Sequence, residues 1–118
     1  MSSSPVSSEA PLKIHSYSKD DMIIVECSGR LLSNVSAGFH TAVKAHFSKT
    51  KHIVLDLTNL VQMDSAGLGA IAGLYIAGKS SGVTIQLINL TKRVRDLLSL
   101  THVLALFEPV GQHHIRID

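Results

Sequence analysis

Short apolar runs of strand length alternate with stretches of helical period along this chain, and that alternation restricts the fold more than any other feature. "HIVLDL" at 52–57 is a nearly continuous aliphatic run, the pattern of a central strand covered on both sides. "VTIQLI" at 83–88 reads as another strand. Between them, "QMDSAGLGAIAGLYIAG" at 62–78 has the length and apolar content of a helix. That helix is predicted to begin near Ser65 and to stop before "KSSG", at Gly82. Strands separated by helices pair in parallel through right-handed crossovers.

The remaining segments extend the pattern. "LKIHSYS" alternates Leu12, Ile14 and Ser16 against Lys13, His15 and Tyr17, and "MIIVECSG" is apolar enough for burial on both faces. Lys19, Asp20 and Asp21 form a polar turn between them, so these strands are predicted to make a hairpin. In "SNVSAGFHTAVKAHFS", Phe39, Ala42, Val43, His46 and Phe47 line one helical face, with Ser33, Asn34 and Ser36 as candidate N-caps. "TNLVQM" reads as a connecting loop. Thr91 is placed to cap a third helix, with Val94, Leu97 and Leu98 inward and Lys92, Arg93 and Arg95 outward. "VLALFEPV" reads as a last strand or extended segment; the tail "GQHHIRID" reads as short structure or partial disorder. The predicted fold is α/β: a small mixed β-sheet of about four or five strands, mostly parallel after an N-terminal hairpin, packed with three or four helices. Residues 1–11, rich in Ser with Pro5 and Pro11, read as a flexible leader; 12–118 read as one domain.

Composition narrows the function classes. The chain has 118 residues, 45% of them hydrophobic and only 4% aromatic, so its core must be built from Leu, Ile, Val and Ala. A formal net charge of +2, with no long basic block, gives no indication of nucleic-acid binding. The single cysteine, Cys27, excludes an intrachain disulfide framework and a cysteine-based zinc cluster, and fits a reducing compartment. "MSSSPVSSEAP" lacks the basic start and apolar core of a secretory signal, and no apolar run reaches the roughly 18 residues of a membrane span. A soluble, cytoplasmic protein is the expectation.

Enzyme and metal motifs are sparse. Seven histidines are present, but His40 and His46 are placed on different helical faces, and His113 and His114 would point opposite ways if extended. They read as solvated or packing residues. The Gly-x-Ser-x-Gly elbow of a hydrolase is missing around Ser65. Gly73, Gly78, Lys79 and Ser80 match the spacing of a phosphate-binding loop, but at a helix end, where free N–H groups do not point. Asp56 and Asp64 have no evident third partner. No enzyme activity and no cofactor are expected.

The Asp64–Ser65 pair is the strongest candidate site. Both residue types are preferred N-caps, and that role alone would make Ser65→Ala cost about 1 kcal/mol. Two features add to capping. Every residue from Ala66 to Gly78 is Ala, Gly, Leu, Ile or Tyr, so the helix is either buried all round or turns an uncharged face to a partner. A phosphate on Ser65 would add about −1.5 to −2 charges where a helix N-terminus tolerates an anion. Such a change would alter docking with little internal rearrangement.

"HIVLDLTNLVQMDSAGLGAIAGLY", followed by "GVTIQLINLTKRVRDLLSLTHVLALFE", resembles the STAS domain, which occurs in bacterial anti-sigma-factor antagonists and in the cytoplasmic tails of sulfate transporters. The resemblance covers roughly residues 12–110. It implies that Ser65 is phosphorylated by an anti-sigma factor that is an ATP-using serine kinase. It also implies that only the unphosphorylated protein binds that factor, and that a phosphatase resets the cycle. The partner surface it implies comprises Asp64, Ser65, Ala66, Gly67 and Leu68, with Leu31 and Leu32 beside them. The chain departs from the family at Gly29-Arg30-Leu31-Leu32, where antagonists usually carry an acid at the last position. Leu32 then either changes kinase recognition or extends an apolar surface for a different partner. STAS-like domains also serve as constitutive subunits of lipid-transport ABC complexes and of stress-sensing scaffolds, which is the alternative role.

Overall fold

A computed structural model of the chain describes residues 12–100 and 115–116. Within them the elements are β1 (Lys13–Lys19), β2 (Met22–Leu31), α1 (Ser33–Lys44), β3 (His52–Met63), α2 (Ser65–Ser81), β4 (Thr84–Ile88), α3 (Lys92–Leu100) and β5 (Ile115–Arg116). The five strands form one sheet in chain order. β1 pairs with β2 antiparallel; β2 with β3, β3 with β4, and β4 with β5 are parallel. The hairpin turns at Asp20, whose φ of 57° is one that Asp tolerates better than most residues.

Helix and sheet share one aliphatic core. Ile23, Val25 and Cys27 of β2, Ile53, Leu55 and Leu57 of β3, and Ile85 and Leu87 of β4 meet Phe39 and Val43 of α1, Leu68, Ile71 and Leu74 of α2, and Val94 and Leu98 of α3. Burial of each such side chain contributes about 1.5–3 kcal/mol. Ile24 and Val54 lie outside this cluster, on the opposite sheet face beside Tyr17, Gln86 and Ile88. α1 and α2 pack against each other, and α3 lies on β3.

Several expectations need correction. "TNLVQM" is not a loop: β3 runs on to Met63, paired with β2 as far as Leu31↔Met63. Two register shifts hide that strand from a period-two reading. Cys27 stands opposite both Leu57 and Thr58, and Val61 has no partner between the pairs Gly29↔Leu60 and Arg30↔Gln62. Each is a bulge that resets the alternation. α1 ends at Lys44, so His46 and Phe47 lie in the turn beyond it, and Ala42 is exposed rather than core-facing. None of the proposed serines nor Asn34 caps α1; the N-cap is Leu32, which has no side-chain acceptor. Arg95 is half-buried rather than outward. The predicted strand "VLALFEPV" lies outside the described residues, and β5 falls in the tail left open by the sequence.

Other expectations hold. α2 begins at Ser65 as expected but runs on through Ser81 instead of stopping before Lys79, and Gly82 is its C-cap, with a φ of 73° and its N–H directed to the Gly78 carbonyl. Thr91 caps α3, its hydroxyl oxygen accepting the Val94 N–H at 3.3 Å.

Candidate functional site

The site is built where β2 and β3 deliver their chains into α1 and α2. Leu31 and Met63, the last residues of the two strands, are paired and buried. The Asp64 N–H donates to the Leu31 carbonyl at 3.4 Å, which holds the two strand exits side by side. Gly67 makes this closeness possible. A Cβ at that position would collide with the Leu31 carbonyl oxygen and press on the Leu31 and Met63 side chains. Gly78 serves the other end of α2 in the same way, since a Cβ there would stand 2.5 Å from the Val83 carbonyl oxygen. Two of the four glycines in the run are thus packing residues, not part of a smooth outer surface.

Asp64 is the N-cap of α2, with extended backbone at φ −107° and ψ −173°. Its Oδ1 accepts the Gly67 N–H at 2.9 Å, and its carbonyl accepts the Leu68 N–H at 2.9 Å. Its Oδ2 accepts the Ser33 N–H of α1, also at 2.9 Å. One carboxylate therefore caps two helices, and supplies the acceptor that Leu32 lacks. The bond from Gly67 leads the causes that hold the Asp64 carboxyl below its usual range; burial opposes it, and the weaker effect of the Ser33 bond adds to the lowering.

Ser65 is the first residue of α2 and is exposed. Its hydroxyl has no hydrogen-bond partner among the described residues. Because Asp64 does the capping, Ser65 is spared that role, and its oxygen stands free for chemistry. The Asp64 carboxylate is turned onto backbone N–H groups, not onto the Ser65 hydroxyl, so the two do not form a nucleophile–base pair.

The other members of the predicted surface divide by burial. Leu31 is fully buried, and Gly67 and Leu68 are buried as well, so these three support the site from beneath rather than offer contacts. Leu32 and Ala66 are half-buried and reach the surface. Outward along α2 come Gly69, exposed, and Ile76, which is 59% exposed. From Ser65 to Gly78 the helix is thus buried on one side and uncharged on the other. Ala66 and Ala70 line a shallow cleft of about 360 Å³ against Ser36, Ala37, His40 and Thr41 of α1. The sequence reading named Ser33 only as a candidate N-cap; its contribution to the site is a backbone N–H that no side-chain pattern marks. The reading missed Val61, 53% exposed because it is the unpaired residue of a bulge.

The remaining candidates are occupied structurally. His52 bonds Gln86 at 2.8 Å, His40 lies over Gly73, and His15 sits 5.8 Å from the Tyr17 ring. No three His, Cys, Asp or Glu residues among those described converge on a common point. His102, His113 and His114 lie outside the described residues. The phosphate-loop-like string lies within α2, with Lys79 Nζ 5.9 Å from the Tyr75 ring centre. Burial first, and Asp56 second, push the Cys27 thiol up to about 12, so it is protonated and unreactive in the folded chain. A second cavity, of about 570 Å³, is lined by Lys13, His15, Glu26 and Asp56 from β1, β2 and β3. Asp56 Oδ1 there is already taken by the Thr58 N–H and hydroxyl and by Asn89. Among the described residues, no helix is long and apolar enough to cross a membrane.

A mixed sheet in chain order, helices on parallel crossovers and an Asp-Ser helix start define one class of domain. Residues 13–115 match the STAS domain model, and the chain belongs to the STAS domain family. Its structure is similar to TM1081 of Thermotoga maritima, a candidate anti-sigma factor antagonist, at 25% identity and a TM-score of 0.69 over 92% of this chain and 86% of that one. It is similar to murine Slc26a9, an anion transporter, at 26% identity and a TM-score of 0.69; the match spans 83% of this chain but 16% of that one. The anti-sigma factor antagonist SpoIIAA in its unphosphorylated form matches with a TM-score of 0.67 over 79% of this chain and 82% of that one. At 15% identity that likeness is one of fold.

Proposed function

We propose that this chain is a regulatory docking module of the anti-sigma-factor antagonist type, without enzymatic activity or cofactor. In its unmodified form it binds an anti-sigma factor that is a serine kinase. Transfer of the ATP γ-phosphoryl group to Ser65 releases it, and a phosphatase restores it. It acts on transcription through that protein, in the cytoplasm, with 12–118 as one domain behind a short leader. The observation that carries this reading is the exposed, uncapped hydroxyl of Ser65 at the head of an α2 surface that has no charge from Ser65 to Gly78. The similarity to TM1081 supports it, as does the existence of SpoIIAA in both unphosphorylated and phosphorylated forms. The direct contacts are Asp64, Ser65, Ala66 and Leu32.

The test is capture of partners from the native cell with and without ATP, followed by mass spectrometry of Ser65. We expect ATP to place phosphate on Ser65 and to lower capture. Ser65→Asp should weaken binding at least tenfold, and Ser65→Ala should keep binding while abolishing phosphorylation. Equal binding by Ser65→Asp and wild type would sink the switch. Leu32 favours a second reading, a constitutive subunit of a transport or stress-sensing assembly; capture indifferent to ATP and to Ser65→Asp would select it.

A further inference from the structure

We propose that Asp64 is a positioning residue that fastens the starts of α1 and α2 into a single docking surface, so that charge placed on Ser65 is felt at the first turn of α1. This rests on the reading of Ser65 as the modified residue.

The argument begins with what α1 lacks. Its N-cap, Leu32, has no acceptor, and its first turn carries no acid. The nearby serine hydroxyl does not help, because Ser36 Oγ donates to the Ser33 carbonyl. The Ser33 N–H is instead met by Asp64 Oδ2, from the other crossover. The second carboxylate oxygen is committed to Gly67. One ionised group thus serves two helix starts, and anything that weakens it acts on both.

Ser65 is the neighbour that can weaken it. A phosphate there puts like charge next to the carboxylate, which disfavours the ionised form. Its oxygens also compete for the free N–H groups of the α2 first turn. Of the two bonds, the one to Ser33 joins separate segments, held beside it only by the 3.4 Å bond from the Asp64 N–H to the Leu31 carbonyl and the pairing that ends at Leu31, whereas the one to Gly67 closes a turn of α2 itself. It therefore yields first, and Leu32 moves with it. Arg30 near the end of β2, His40 on α1, and Lys92, Arg93, Arg95 and Asp96 of α3, which lies on β3, are charged or titratable groups of the elements packed around this end; Lys44 and Lys79 lie in the last turns. Among the described residues, the hydrogen bonds that lower the Asp64 carboxyl all come from backbone.

The measurement is an acid titration of the full chain followed by amide NMR. In the wild type, the Ser33 and Gly67 amide signals should titrate together with one midpoint, that of Asp64, and Asp64→Asn should abolish the shared transition. Protein with phosphoserine installed at 65 during translation should show that midpoint raised by about half a pH unit. Its Ser33 signal should also move toward the position of an unbonded amide at neutral pH. Separate midpoints in the wild type, or a Ser33 signal indifferent to phosphoserine, would overturn the proposal. Because the phosphate is installed rather than enzymatic, the outcome is independent of whether a native kinase acts. Coupling without phosphate on Ser65 in the cell would leave the clasp standing and remove the switch, and the converse would do the reverse.

Discussion

The two helices that flank the site start in opposite ways. α2 carries its own cap, its own glycine for close approach, and an apolar sequence that gives no hint of which side faces inward. α1 has a plain amphipathic pattern with Phe39 and Val43 buried, yet no cap of its own. It borrows one from α2. A strong periodic pattern therefore locates a helix without securing its end, and a weak one can hide a well-anchored end. Dependence runs one way: α2 could start without α1, but α1 starts on Asp64.

That asymmetry can be broken in order of severity. Gly67→Ala should do most damage, about 3 kcal/mol, because its Cβ has nowhere to go but into the Leu31 carbonyl; urea denaturation would measure it. Gly69→Ala is its control. That position opens onto free space, so alanine should stabilise by about 0.5–1 kcal/mol. If both glycine variants behaved alike, the close approach at Gly67 would be refuted. Asp64→Ala should cost about 2 kcal/mol, one cap at each helix, with faster amide exchange in the first turn of α1 as well as of α2. Loss confined to α2 would break the claim that α1 depends on it.

The pH dependence sharpens the same point. The Asp64 carboxyl is lowered in the folded chain. Its stabilisation is therefore present above the unfolded value, about 3.9, and is lost as pH falls through the folded value. Wild type should exceed Asp64→Asn by about 1 kcal/mol at neutral pH, and melting curves of the two should converge in acid. The smallest effect is expected at Ser65→Ala. Since Asp64 holds the cap, this change should lie within about 0.5 kcal/mol of wild type, below the 1 kcal/mol that a capping serine implies. A binding change in that variant then reports on docking and not on folding.

Much of this was legible in the residues. "HIVLDL", the Asp-Ser start and Gly82 located β3, α2 and its stop because each rests on local chemistry: burial, capping and a left-handed turn. What stayed hidden depends on partners distant in sequence. The six residues after Leu57 look like a loop because two bulges interrupt their alternation, and only β2 reveals them as strand. The cap of α1 lies on a residue 31 positions away. Leu31 and Leu68 read as surface candidates through family resemblance, but burial is decided by how closely Gly67 lets the helix settle.

The bulges in β3 have a consequence for how this domain can vary in length. The offset between paired residues is 30 at Glu26↔Asp56, 31 at Ser28↔Asn59 and 32 at Arg30↔Gln62. Each step absorbs one extra residue, so Leu60 after the first and Met63 after the second both still face the core. Removing Thr58 or Val61 singly would close that bulge into a regular ladder, leaving Met63 inward and Asp64 beside both amides it serves. This arm can therefore shorten one bulge at a time, and homologues that lack one bulge are free to keep the other.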